Sequence, residues 1–176
     1  MLRQKILEEF HKIGVIYKES VKLRSGIISS FYCDIKKAYG YPGILTALAD
    51  IIGEKLKKKE NCISVMGYGG VPLGAVIASR FSRKFILVRE NKKKHGKGGY
   101  IDGYIPTKKD TIVIIDDVLT TGGSIREILS VLNKTDAKIS RAIVVVKRGE
   151  TNLSIPYDFI FPIEEIVKNI KPRLVK

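Results

Sequence analysis

From residue 62 onward the chain alternates short, unbroken apolar runs with stretches of helical spacing. Ile63-Ser64-Val65-Met66 leads into Gly67-Tyr68-Gly69-Gly70, read as a loop, and then a small-residue helix over Pro72 to Phe81. Phe85-Ile86-Leu87-Val88 leads into the polar stretch Arg89 to Gly99. Ile112-Val113-Ile114-Ile115 runs into Asp116-Asp117, a loop, and a helix from about Gly123 to Asn133. Ala142 to Val146 is a further strand, and Pro162 to Ile170 a closing helix. Strands this short with no polar alternation are apolar on both faces, so both faces need cover, as in parallel strands joined by crossover helices. The fold class is therefore α/β, with a central, mostly parallel sheet flanked by helices. In such sheets ligands bind beyond the carboxyl ends of the strands. The residues that follow each strand are where chemistry is expected.

The first forty residues read differently. Leu2, Ile6, Leu7, Phe10 and Ile13 recur at helical spacing and stop at Gly14. Val15 to Leu23 and Ile27 to Ile35 flank Ser25-Gly26 as a hairpin-like lead-in. Pro42 then opens a second helix whose apolar face is Ile44, Leu45, Leu48, Ile51, Ile52 and Leu56; Lys55 and Lys57 to Lys59 stand at its end, where cations suit the helix dipole. A length of 176 residues suits one domain. The expected division is a hood over 1–40, a core sheet over 41–160, and a closing helix and tail over 161–176. No apolar run approaches the roughly 18 residues that span a bilayer, and the amino terminus is charged, so the expected location is the cytoplasm, with no membrane contact. Cys33 and Cys62 fit neither a disulfide scaffold nor a metal site.

Ile112 to Ile125 carries the most chemistry. An apolar strand delivers Asp116 and Asp117, then Thr120, Thr121, Gly122, Gly123 and Ser124 at the start of a helix. Glycines let backbone approach an anion, amide N–H groups point at it, and the helix amino terminus adds a favourable dipole. This is a phosphate cradle beside two acids, which suit vicinal hydroxyls of a sugar directly or through Mg²⁺. The same residues would also serve as a helix cap with two solvent-facing acids. The Lys of a Walker loop is absent, and Gly67-Tyr68-Gly69 meets Pro72 where a dinucleotide fingerprint has its third glycine.

This strand–Asp-Asp–Thr-Thr-Gly-Gly–helix pattern resembles the 5-phosphoribosyl-1-pyrophosphate (PRPP) motif of type I phosphoribosyltransferases. The resemblance implies that Thr120 to Ser124 hold the 5-phosphate and that Asp116 and Asp117 face the ribose hydroxyls. Leu23-Arg24-Ser25-Gly26, followed by Phe31-Tyr32 and Asp34, is similar to the amino-terminal signature of orotate phosphoribosyltransferases, with Arg24 where Lys is common. Arg89 to Gly99 is similar to their mobile catalytic loop, matching at Arg89, Lys93, His95, Gly96, Gly98 and Gly99, with Glu90 in place of a second base. Gly67 to Leu73 resembles their pyrophosphate loop, in which backbone amides of Gly69 and Gly70 replace a Lys found at position 69 in some members. Arg148 ends a strand as the orotate-contacting arginine does, although Lys147 stands where Asp is usual.

The resemblance implies a type I phosphoribosyltransferase fold and Mg²⁺-dependent transfer of phosphoribose from PRPP to orotate, giving orotidine 5′-monophosphate for pyrimidine synthesis. It implies Lys93, His95 and Asp117 as catalytic residues. Arg89, Lys93, His95, Asp116, Asp117, Thr120, Thr121, Gly122, Gly123, Ser124, Gly69 and Gly70 would bind PRPP. Arg24, Phe31, Tyr32, Thr120 and Arg148 would bind orotate. Mg²⁺ would be carried mainly by PRPP and reach Asp116 or Asp117 through water. A homodimer is implied, with the 89–99 loop acting in the neighbouring site.

Two other readings compete. A transferase for a purine or uracil gains from Glu90, Gly69 and Lys147. A nucleic-acid-binding regulator on the same fold gains from 32 Lys+Arg against 18 Asp+Glu, a formal +14. Against the latter, the aromatics are not interleaved with the basic runs as single-strand binding requires. Part of that charge also belongs to Arg89, Lys92, Lys93, Lys94 and Lys97, in the loop assigned to pyrophosphate.

Overall fold

A computed structural model describes residues 2–17, 21–22, 28–29, 31–91 and 99–168. Helix α1 (Leu2–Ile13) buries Ile6, Leu7 and Phe10, and the Phe10 ring meets Phe161 edge-on at 5.6 Å. The lead-in is an antiparallel hairpin of nested ladders, made by β1 (Ile16–Tyr17), β2 (Val21–Lys22), β3 (Ile28–Ser29) and β4 (Tyr32–Cys33). Ile16 pairs with Cys33 and Val21 with Ser29. The turn at Ser25-Gly26 lies outside the described residues. A four-residue helix, α2 (Lys36–Tyr39), and then α3 (Pro42–Glu54) complete the amino-terminal part.

The sheet is built from β5 (Cys62–Met66), β6 (Lys84–Val88), β7 (Ile101–Gly103), β8 (Thr111–Leu119), β9 (Lys138–Lys147) and β10 (Tyr157–Pro162). Helices α4 (Gly67–Arg80), α5 (Gly123–Leu132) and α6 (Ile163–Val167) join or follow the strands. The strand order is β10-β9-β8-β5-β6-β7, parallel throughout except for the antiparallel edge strand β7. Two period-2 sets of side chains leave the strands in opposite directions. Ile63, Val65, Val113, Ile115, Ile143 and Val145 pack with α1, α3 and α4 through Phe10, Leu48, Ile52, Leu73 and Ile77. Cys62, Ile112, Ile114, Ala142 and Val144 pack against Ile125, Ile128, Leu129 and Leu132 of α5. The continuous apolar runs thus have the double cover that the sequence requires.

Three expectations change. The stretch Gly67 to Gly70 is the first turn of α4 and not a loop, so the helix begins one turn before Pro72. Its glycines make this possible, because a Cβ on Gly70 would lie 2.6 Å from the Ile115 carbonyl oxygen of β8. Strands β7 and β10 and helix α2 join the expected elements; α2 and β7 are too short to carry a periodic signal, whereas β10 alternates at Tyr157, Phe159 and Phe161 outside the expected strands. The closing helix starts at Ile163 and ends at Val167, before the expected Ile170, which lies outside the described residues.

The chain runs from β5 outward to β6 and β7, then returns to the other side of β5 to form β8. Strand order therefore reverses between β5 and β8, and a crevice opens above their carboxyl ends at such a point. The glycine-bearing starts of α4, at Gly67, and of α5, at Gly123, follow these two neighbouring strands.

Candidate active site

Strand β8 continues past the apolar run through Leu119, so Asp116 and Asp117 are strand residues, both at most 9% exposed. Their carboxylates are held by the backbone that follows. The Asp117 N–H donates to Asp116 Oδ1 at 2.9 Å, and the Val118 N–H donates to Asp117 Oδ1 at 2.7 Å. Burial first, and the charge of Asp117 second, push the Asp116 carboxyl well above the usual carboxylate range. Beyond the acids, Thr120, Thr121 and Gly122 turn into Gly123 and Ser124 of α5. Gly122 has φ +81°, a left-handed conformation that glycine adopts without strain, and a Cβ there would lie 2.7 Å from Leu153 Cδ2. The turn is tied by its carbonyls: Thr151 Oγ1 donates to Thr120 O, and Arg126 Nη1 donates to Thr121 O at 2.5 Å. The helix starts with no side-chain cap on Gly122, and its first N–H groups make a favourable end for an anion.

The first turn of α4 forms the opposite wall. A Cβ on Gly69 would lie 2.5 Å from Asp117 Oδ1 and 3.0 Å from Asp116 Oδ1, so the absence of a side chain at 69 is what lets this backbone meet the acids. Tyr39 Oη fixes the same turn by donating to Gly69 O at 2.8 Å. Next to it a cleft of about 370 Å³ is lined by Gly67, Tyr68, Val71, Val88, Arg89 and Glu90. Arg89 lies at the end of β6, its guanidinium paired with Asp102 of β7.

A third group converges from the hairpin and β9. The Arg148 guanidinium lies 4.6 Å from the centroid of the Phe31 ring and donates from Nη2 to Phe31 O at 3.3 Å. Its own N–H donates to Leu119 O at 2.8 Å, which places it directly beside the end of β8. Tyr32 follows Phe31 as a half-buried residue of β4. Lys147 is engaged with Glu150 at 2.9 Å, so its departure from the expected Asp is accommodated by a local ion pair. The expected residues Arg24, Lys93 and His95 lie outside the described residues. Lys36 was not among the expected site residues, yet its Nζ stands 3.4 Å from Asp117 Oδ2 and 3.5 Å from Asp34 Oδ1. The available signal was the Asp-x-Lys spacing directly after Phe31-Tyr32-Cys33, which gains meaning only when β4 is brought over β8.

Asp116 and Asp117 offer the hard oxygen donors that suit a magnesium-class ion. They are too few for a protein-held cage, and among the described residues no group of three His, Cys, Asp or Glu could hold a metal. The donors fit an ion that arrives with most of its oxygen ligands already supplied.

An open helix amino terminus, two acids at a strand end and a cation–aromatic pair lie together at the switch point of a parallel sheet, the set of parts that a sugar-phosphate site of the phosphoribosyltransferase class requires. The pattern described as Phosphoribosyl transferase domain matches residues 39–174. The chain is 34% identical over 150 residues to an orotate phosphoribosyltransferase of Methanopyrus kandleri, covering 85% of this chain and 80% of the relative. It is 33% identical over 153 residues to the orotate phosphoribosyltransferase of Pyrococcus furiosus, covering 85% and 81%. The crystal structure of orotate phosphoribosyltransferase from Aeropyrum pernix superposes with a TM-score of 0.80 at 26% identity, over 93% of this chain and 96% of that one. An adenine phosphoribosyl transferase from Trypanosoma brucei, at 14% identity and a TM-score of 0.67, shares the fold alone. The chain belongs to the orotate phosphoribosyltransferase family, and is thus a pentosyltransferase by class.

Proposed function

We propose that the protein transfers the 5-phosphoribosyl group of PRPP to orotate, forming orotidine 5′-monophosphate and pyrophosphate in pyrimidine synthesis. The observation that carries this reading is the placement of the Phe31–Arg148 pair against the end of the strand that bears Asp116 and Asp117. The 5-phosphate seats on the turn Thr120 to Ser124, where N–H groups and the helix dipole favour an anion. The ribose hydroxyls donate to the Asp pair. Phe31 and Tyr32 offer flat faces to the pyrimidine, while Arg148, and Arg24 from the hairpin, meet its carboxylate and carbonyl oxygens. Thr120 would serve both halves. In the reaction the bond from C1 to the pyrophosphate oxygen breaks, its electron pair leaving with pyrophosphate, and a ring nitrogen of the deprotonated base supplies the pair for the new C1–N bond. Such a reaction passes through a cation-like C1, so positioning and stabilisation of the departing charge do most of the work.

Backbone amides of Gly69 and Gly70 and the side chains of Arg89, Lys93 and His95 would receive the departing pyrophosphate, with Lys93 or His95 as proton donor. Asp116 or Asp117 would hold, through water, the Mg²⁺ that PRPP mainly carries, and that ion would supply charge neutralisation for the departing pyrophosphate. The protein would work in the cytoplasm as a homodimer whose 89–99 loop completes the partner's site. Purified protein with Mg²⁺ and PRPP, offered orotate, uracil, hypoxanthine and guanine in turn, tests the reading. Nucleotide formation with orotate alone is expected; turnover of another base instead, or of none, overturns it.

A further inference from the structure

Helix α2 carries two contacts that reach the crevice from outside the sheet. At its first residue, Lys36 Nζ lies 3.4 Å from Asp117 Oδ2 and 3.5 Å from Asp34 Oδ1. At its last, Tyr39 Oη holds Gly69 O at 2.8 Å. One short helix thus touches both walls of the sugar-phosphate crevice, β8 and α4. The segment in front of it is anchored in turn, since the Asp34 N–H donates to Val15 O at 2.7 Å. Asp117 Oδ1 already accepts the Val118 N–H. With Lys36 at Oδ2, both oxygens are held and the plane of the carboxylate is set. The Lys36 ammonium hydrogen-bonds Asp117 Oδ2 and stands at ion-pair distance from Asp34 Oδ1, so it lies between the two carboxylates.

We propose that Lys36 is a positioning residue for the ribose end of the site: it holds the Asp117 carboxylate in the orientation that meets the vicinal hydroxyls of a sugar phosphate. This rests on reading the crevice as a phosphoribosyl site. It assigns to Lys36 a role exerted through Asp117, whereas a half-exposed lysine near a phosphate cradle could instead touch the phosphate itself. The two roles differ in what they recognise, because inorganic phosphate has no hydroxyls to present to Asp117.

Calorimetric binding of ribose 5-phosphate and of inorganic phosphate to the purified protein separates them. Lys36→Met is expected to weaken ribose 5-phosphate by about tenfold or more while phosphate stays within about twofold, and Lys36→Arg to recover most of the loss. Lys36→Met added to Asp117→Asn is expected to cost little beyond Asp117→Asn alone, as for residues acting through one contact. Equal weakening of both ligands, full additivity of the two substitutions, or an unchanged ribose 5-phosphate affinity overturns the proposal. Lys36→Gln serves if Lys36→Met does not fold, each variant being checked by its thermal midpoint. If wild-type protein binds ribose 5-phosphate in this Lys36-dependent way but turns over no base, the functional reading fails and the role of Lys36 stands. If wild-type protein binds no ribose 5-phosphate, the crevice is not a sugar-phosphate site and both fall.

Discussion

Asp116 and Asp117 are chemically identical neighbours in different surroundings. Asp116 is enclosed and held toward its protonated form, whereas Asp117 faces Lys36 and the backbone of Gly69. Asp117→Asn should therefore lower turnover with PRPP by about 100-fold with little change in thermal midpoint, since the amide keeps the shape and loses the charge. Steady-state kinetics beside a thermal melt checks this; a similar turnover would remove Asp117 from the site. Arg148→Ala is expected to raise the KM for orotate by about tenfold and leave that for PRPP within about twofold, because the guanidinium lies on the Phe31 side of the crevice. A change confined to PRPP would reassign Arg148. The acids and the Thr-Thr-Gly-Gly turn were legible in the sequence because they follow directly on an apolar strand, whereas Arg148 stood out only through its likeness to the family's strand-end arginine. Lys36 was not legible, since its significance depends on a contact across 81 positions in the chain.

At the scale of elements, the amino ends of the strands are locked by buried ions that the chemistry does not use. Asp110, just before β8, accepts Lys84 Nζ at 2.7 Å, Thr107 N at 2.8 Å, Tyr104 Oη at 3.0 Å and Asn61 Nδ2 at 3.0 Å. Burial alone would raise its carboxyl pKa, but the Lys84 ammonium and the Thr107 and Tyr104 donors outweigh that and hold it well below the usual range. A depressed acid stabilises the fold above the unfolded-state value near 4, and that contribution is lost as pH falls below it. The thermal midpoint should accordingly drop between about pH 5 and pH 2. Asp110→Asn should be destabilised at neutral pH and show a shallower acid drop. Equal slopes for the two proteins would show that other carboxylates govern acid unfolding. The strong elements, β5, β6, β8, β9 and α5, were visible as apolar runs or helical spacing. The first turn of α4 was not, because Gly-Tyr-Gly-Gly reads locally as a loop, while its close approach to the Ile115 carbonyl of β8 is a tertiary contact.

At the scale of the molecule, the proposed dimer would be part of the reaction, since the loop assigned to pyrophosphate would join the neighbour's site. Equal mixing of Lys93→Ala and Asp117→Asn proteins, after exchange of subunits, should then restore about a quarter of wild-type activity, because half of the dimers are hybrids with one intact site. No recovery would place the loop in its own subunit's site. The formal +14 carries no separate requirement for nucleic acid, and any such binding should fall steeply with salt. What the sequence by itself determined is the layered α/β architecture and the chemistry at strand ends, for strand burial and backbone–anion contacts are local in origin: apolar runs, glycines and acids in series. What only the tertiary structure decided is how separate segments share one crevice. The reversal between β5 and β8, the approach of Gly69 to the acids, and the reach of Lys36 and Phe31 from the hairpin side depend on pairings between distant segments. No short-range pattern encodes these, because their energy comes from packing whole elements together.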